Sequence, residues 1–264
     1  MTRWLLLLLA GVIAAGGCSG GAVSPTPMAN DLTIFAAASL AGVMDEVKTA
    51  YERAVPGSTL TISTDSSAAL ETQIEQGAPA DLFLAADTTN PQKLADGGFV
   101  AGDVVVFAGN ELTVIVPKSN PAAIASPADL AREGVKIIGA GEAVPITKYA
   151  TQLVADLAKD PDYPPYYRQR YAANVVSKED NARAVVAKVA LGEGDAAIVY
   201  ATDARASADI ETIEVPDDAN VRARYAGVVI KASSRVDAAK AFLEWFAGPA
   251  GQAILGRFGF LPPT

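Results

Sequence analysis

Short apolar runs alternate with segments of helical spacing along nearly the whole chain, and this alternation restricts the fold more than any other feature. "LTIFAAA" (32–38), "STLTIST" (58–64) and "ADLFLAA" (80–86) read as strands. Between them, Leu40, Val43, Met44, Val47 and Tyr51 fall on one face of a helix, and Ser67 to Gln76 forms a second helix closed by Gly77. Strand–helix–strand order of this kind predicts α/β architecture with a mostly parallel sheet flanked by helices.

The pattern then starts again. "VVVFAGNELTVIVPK" (104–118) carries two strands around Gly109-Asn110, where the chain is expected to pass into a second lobe. "SPADLA" (126–131) opens a helix with a good N-cap and proline in the first turn. "VKIIGAG" (135–141) and "AAIVYA" (196–201) are strands, and Thr147 to Lys159 and Asp180 to Leu191 are helices. Near "RYAGVVI" (224–230) the chain returns to the first lobe and ends in helices over 238–246 and 249–258. The expected division is 31–110 plus 225–264 for lobe one and 111–224 for lobe two, with a ligand cleft between them. No internal sequence repeat marks the two halves.

Composition excludes several chemistries. The 264 residues contain no histidine, which removes Ser-His-Asp and Cys-His catalysis and most zinc and iron sites. No S-x-x-K occurs in the body to support a Ser-Lys hydrolase, and Asp217-Asp218 follow a proline in an exposed turn, so no catalytic residue is assigned. No cluster of His, Cys or carboxylates suggests a cation site. A net charge of −9 argues against nucleic acid and offers no long-range attraction to anions. Any anion site has to be built from local donors.

The first 18 residues read as an export signal: Arg3 supplies a positive start and Trp4 to Ala15 an apolar run of 12 residues, too short to span a bilayer. Ala15-Gly16-Gly17-Cys18 is similar to a bacterial lipobox, with Ala15 where Leu is usual and Gly16 where Ala or Ser is usual. Cys18, the single cysteine, is expected to carry a lipid anchor to the membrane, and residues 19–30 a flexible tether. The protein is placed in the cell envelope, on the extracytoplasmic side.

In parallel sheets ligands sit beyond the carboxyl ends of strands, where helix starts offer unpaired N–H groups and a positive dipole end. Ser39, after the first strand, and Ser66-Ser67, after the second, occupy such turns. Taken alone, each reads first as a helix N-cap, the usual role of such serines, and Tyr200 as a packed core aromatic, the commoner fate of a tyrosine at a strand end. On these physical grounds alone, receptors for sulfate, an organic acid or a sugar stay open.

Four segments in order resemble the periplasmic molybdate-binding proteins of ABC transporters: "FAAASL" (35–40), "QIEQGAPADLFLAAD" (73–87), "EDNARAVVAKVALGEGDAAIVYATDA" (179–204) and "GPAGQAILGRFGF" (248–260). The resemblance runs from Leu32 to Pro262. It implies a two-lobed periplasmic-binding-protein fold that holds molybdate or tungstate as a tetrahedral oxyanion, without metal ligands or cofactor. It implies binding by Ser39, Ser67, the amides of Ile146 and Ala182, and the Tyr200 hydroxyl, in a monomer that serves an ABC permease and ATPase. Two positions depart from the family pattern: Asp65, a carboxylate next to the serine pair, and Ala68, where Ser or Gly is common.

Overall fold

The computed structural model describes residues 30–263. The signal, tether and Cys18 readings lie outside the described residues.

Among the described residues, ten strands form two sheets and nine α-helices pack around them. The first sheet is built from β1 (Asp31–Ala37), β2 (Thr59–Asp65), β3 (Leu82–Ala85), β4 (Val105–Asn110) and β10 (Ala223–Val229), in the order β2-β1-β3-β10-β4. β1 pairs in parallel with β2 and β3, aligning Leu32 with Leu60 and Ile34 with both Ile62 and Leu82. β10 runs antiparallel to β3 and β4, so four of the five strands share one direction.

The second sheet uses β5 (Leu112–Pro117), β6 (Ile137–Ala140), β7 (Val175–Glu179), β8 (Ala197–Tyr200) and β9 (Ile210–Ile213). β8, β5 and β9 form an antiparallel ladder and β6 and β7 a parallel pair. A bridge between Ile137 and Ala196 joins the two, with the Ile138 N–H donating to Ala196 O at 2.9 Å. The resulting order, β7-β6-β8-β5-β9, again has a single reversed strand in fourth place, although here that strand is the first of its sheet along the chain and in the first sheet it is the last. Structural repetition is therefore present although the sequence carries no repeat, because only hydrophobic period and turn placement have to match.

Helices cover both sheets. α1 (Ala41–Ala54) buries Val43, Met44, Val47 and Tyr51, its predicted apolar face. The Tyr51 ring meets Phe242 and Trp245 of α8 (Val236–Ala247) edge-on at 4.9 and 5.1 Å. α2 (Ser67–Glu75) and α3 (Thr89–Asp96) lie after β2 and β3, and α9 (Pro249–Arg257) follows α8. In the second lobe are α4 (Pro145–Leu157), α5 (Tyr167–Asn174), α6 (Ala182–Ala190) and α7 (Ala201–Arg205). Residues Pro127–Ala131 form a 3-10 turn, closed by a reciprocal capping box of Ser126 and Asp129. Its five residues stop at Arg132, whose extended backbone leads straight toward β6.

The lobes are joined where β4 passes to β5 through Glu111 alone and where the chain re-enters the first sheet at Ala223. Asn220 secures the second connection to the first, accepting from Leu112 N–H at 3.1 Å and donating to Leu112 O at 3.0 Å. A further contact between lobes is Lys148 Nζ with Thr89 Oγ1 at 3.3 Å. The carboxyl ends of β1, β2, β6 and β7 precede the turns that carry Ser39, Ser67, Ile146 and Ala182, and Tyr200 is the last residue of β8.

Candidate oxyanion site

Ser39, Ser67, Ile146, Ala182 and Tyr200 line one small cavity between the lobes, with about 200 Å³ of empty space. All five are nearly inaccessible to solvent, from 8% for Ser39 down to 1% for Ser67 and Tyr200. The remaining lining is small or apolar apart from Ser66 and Asn181, and no charged side chain contributes to it.

Each helix start delivers its donors for an identifiable local reason. Ser39 lies inside a 3-10 turn, Ala38–Leu40, and is not the helix cap that its position suggested. The cap positions are Ala37 and Leu40, neither of which caps through a side chain, so the Ser39 hydroxyl is left for tertiary use. Its Oγ lies 2.9 Å from the Tyr225 hydroxyl. At α2, Ser66 is the N-cap and accepts from Ala69 N–H at 3.2 Å. Ser67, one residue on, accepts from Ala86 N–H at 3.0 Å, so its own hydrogen is free to point into the cavity. Asp65 accepts the Ser66 N–H at 2.7 Å and is not part of the lining.

α4 begins with Pro145, which has no N–H, behind Val144, which has no side-chain acceptor. Thr147 N–H already reaches Val144 O at 3.0 Å, so Ile146 carries the donor left over at that terminus. At α6, Asn181 Oδ1 caps Ala184 N–H at 3.0 Å, which leaves the two N–H groups before it, starting with Ala182. The 3-10 turn before α1 and the starts of α2, α4 and α6 thus border one space lined by no charged side chain, a setting suited to an anion without a basic side chain.

Tyr200 closes the far side. Its Oη is buried and meets no hydrogen-bond partner among the described residues. Burial pushes the Tyr200 phenol well above its ordinary value, with the neighbouring Tyr225 and Tyr149 acting in the same direction, so it stays a neutral hydrogen-bond donor. A buried hydroxyl without a partner costs about 1–3 kcal/mol. Tyr200→Phe is therefore expected to raise the melting midpoint of the ligand-free protein, by about 2–4 °C per kcal/mol recovered, while weakening anion binding. Calorimetric melting and titration on one preparation check both signs, and a lower midpoint would show that the hydroxyl is satisfied.

Three residues that the sequence did not single out stand behind the lining. Asp87, next to Ala86, is buried and bonded to Asn90 Nδ2 at 2.9 and 3.1 Å; burial raises its pKa against those bonds. Asn110 and Tyr225, both fully buried, lie behind Ser39. A larger space of about 570 Å³ lies behind α4, beside Arg168, Tyr171 and Lys178, but only Ile146 of the five predicted residues touches it. Among the described residues no group of three or more His, Cys, Asp or Glu could hold a metal ion.

The family model for the bacterial extracellular solute-binding protein matches residues 32–261. A molybdate-binding protein of Mycobacterium tuberculosis is 32% identical over 260 residues, covering 97% of this chain and 95% of that protein. The fold is shared with the periplasmic molybdate-binding protein of Azotobacter vinelandii, at a TM-score of 0.75 and 22% identity, over 88% of this chain and 100% of that one. It is shared equally with the sulfate-binding protein of M. tuberculosis, at a TM-score of 0.78 and 21% identity, over 88% and 87%. With a matched model over nearly the whole described body, the chain belongs to the bacterial extracellular solute-binding protein family.

Proposed function

We propose that this protein captures molybdate, and also tungstate, between its lobes and delivers the closed complex to an ABC permease and its ATPase. The single observation that carries this reading is the cage itself: neutral hydroxyls and helix-start N–H groups around a buried space, with the Tyr200 hydroxyl lacking any partner among the described residues. The name of the M. tuberculosis relative points to the same anion. In this reading Ser39 and Ser67 bind from lobe one, 31–110 with 225–264, and Ile146, Ala182 and Tyr200 from lobe two, 111–224. Rotation at the two connections opens and closes the site, and the anion shifts the population toward the closed form. The protein acts as a monomer outside the cytoplasm, held to the membrane by a lipid on Cys18.

A hydrogen bond to a charged group contributes about 1.5–3 kcal/mol. Several such bonds on one dianion, less ordering costs, suffice for the roughly −8 kcal/mol of micromolar binding and beyond. Sulfate has the same charge and shape and is the second reading, supported by the fold shared with a sulfate-binding protein. The larger anion is favoured when the donors are spaced for its longer bonds.

Isothermal titration of the body from about residue 30 with molybdate, tungstate, sulfate and phosphate tests the proposal. Submicromolar binding of the two oxometallates and much weaker binding of sulfate are expected; heat from sulfate alone would replace the first reading with the second. Ser39→Ala is expected to weaken molybdate binding at least about tenfold, the loss of one hydrogen bond to a charged group. Unaltered affinity would remove Ser39 from the site.

A further inference from the structure

We infer that Asn110, acting through Tyr225, fixes Ser39 as a hydrogen donor to the cavity and so makes the site refuse protonated oxyanions. The inference rests on the reading that an oxyanion occupies this cavity, and it concerns two residues outside the lining.

The direction of the chain of hydrogen bonds follows from Asn110. Its Oδ1 accepts the Glu111 N–H at 3.0 Å, so its amide cannot be turned around without setting two donors against each other. Its Nδ2 therefore faces inward, donating to Thr202 Oγ1 at 2.8 Å and, over a longer 3.4 Å, to Tyr225 Oη. A phenol that accepts from Asn110 has its one hydrogen left for Ser39 Oγ, 2.9 Å away. Ser39, accepting that hydrogen, directs its own into the cavity. Asn110, Tyr225, Thr202 and Ser39 are all buried, so water does not compete for these positions.

Ser67 reaches the same condition independently, since its acceptor role is taken by Ala86 N–H. Both serines thus present hydrogens, as do the helix-start amides. A fully deprotonated dianion accepts from all of them. An anion that keeps a proton, as phosphate does near neutral pH, brings a donor that meets donors at both serines and at the helix starts, which leaves it only the Tyr200 oxygen to turn to. Asn110 and Tyr225 are positioning residues, since neither lines the cavity.

Asn110→Asp reverses the chain. A carboxylate accepts the Tyr225 hydrogen, Ser39 then donates toward Tyr225, and a lone pair faces the cavity. Molybdate binding is expected to weaken by roughly tenfold to a hundredfold, and the molybdate-to-phosphate affinity ratio to fall at least about tenfold. The double variant Asn110→Asp with Tyr225→Phe keeps the added charge but cuts the chain. Its ratio should recover to that of Tyr225→Phe alone, in which Ser39 turns freely and the ratio falls only about threefold. Titrations with both anions at pH 6 and 7.5, with melting midpoints, read the result. Equal loss for both anions in Asn110→Asp, or a double variant no better than that single one, would overturn the inference. If the Asp variant fails to fold, Tyr225→Phe decides: an unchanged ratio counts against it. Wild-type protein that prefers sulfate would correct the proposed ligand and the same ratios would be read with sulfate; wild-type protein that binds no tetrahedral oxyanion would sink both.

Discussion

Replacing Ala182 with proline is expected to weaken oxyanion binding by about tenfold to a hundredfold while the protein still folds. Ala182 is the first residue of α6, where proline is well accommodated because the N–H it lacks has no intrahelical partner. The preceding residue, Asn181, already has the extended backbone that proline demands of its neighbour, at φ −156° and ψ 168°. The Asn181 cap on Ala184 is untouched by the change. What disappears is one N–H aimed at the cavity, worth about 1.5–3 kcal/mol against a charged acceptor. The ring also intrudes on a lining position that is only 5% exposed. Ala182→Gly keeps the N–H and should bind within a few-fold of wild type, so the pair separates loss of the donor from disturbance of the turn. Dissociation constants from titration and midpoints from calorimetry decide it. Full-strength binding by a folded proline variant would mean that the Ala182 amide plays no part.

That test addresses the part of the site least visible in the sequence. Main-chain donors at Ile146 and Ala182 leave no side-chain mark, and only the resemblance of whole segments to a known family pointed to them. Ser39 and Ser67 were legible as hydroxyls in strand-to-helix turns, but their roles were not. Ser39 read as a cap because a serine before a helical pattern usually is one; the 3-10 turn before α1 moved the cap to Leu40. Asn110 and Tyr225 were out of reach because 115 positions separate them in sequence, and their pairing exists only once β4 and β10 lie side by side. The strands and helices that went unread, such as β7, β9 and α5, are short and largely exposed, so their apolar period is weak. The repeated sheet order was hidden for another reason: it is set by how the chain crosses between strands, and a bridge at Ala196 completes it.

Raising the pH from about 4 to about 8 is expected to destabilise the protein through Asp203, and Asp203→Asn should remove that part of the pH dependence. Asp203 sits in the first turn of α7, buried, with Oδ2 lacking any partner among the described residues. Burial pushes its pKa from 3.8 up to about 7, only partly opposed by the exposed Arg183. The folded protein therefore holds a proton over a range in which the unfolded chain has released it. Stability from this residue is complete below about pH 4 and falls as the pH climbs to about 7, above which it levels off. The full difference is of the order of 4 kcal/mol. Glu52 and Glu179, held low by their lysine partners and hydrogen bonds, act in the opposite direction, so the comparison of wild type with Asp203→Asn isolates the residue. Asparagine imitates the neutral acid; the variant should match wild type near pH 4 and exceed it near pH 8 in denaturant unfolding. Asp203 also faces Tyr225 and Tyr200, raising the pKa of each. Its ionisation therefore adds negative charge felt by Tyr200, which lines the cavity, and by Tyr225, which is bonded to Ser39. Affinity for a dianion should consequently decline above about pH 7 in wild type and hold steady in the variant. Parallel curves for the two proteins, in both stability and affinity, would mean that Asp203 stays ionised in the folded state.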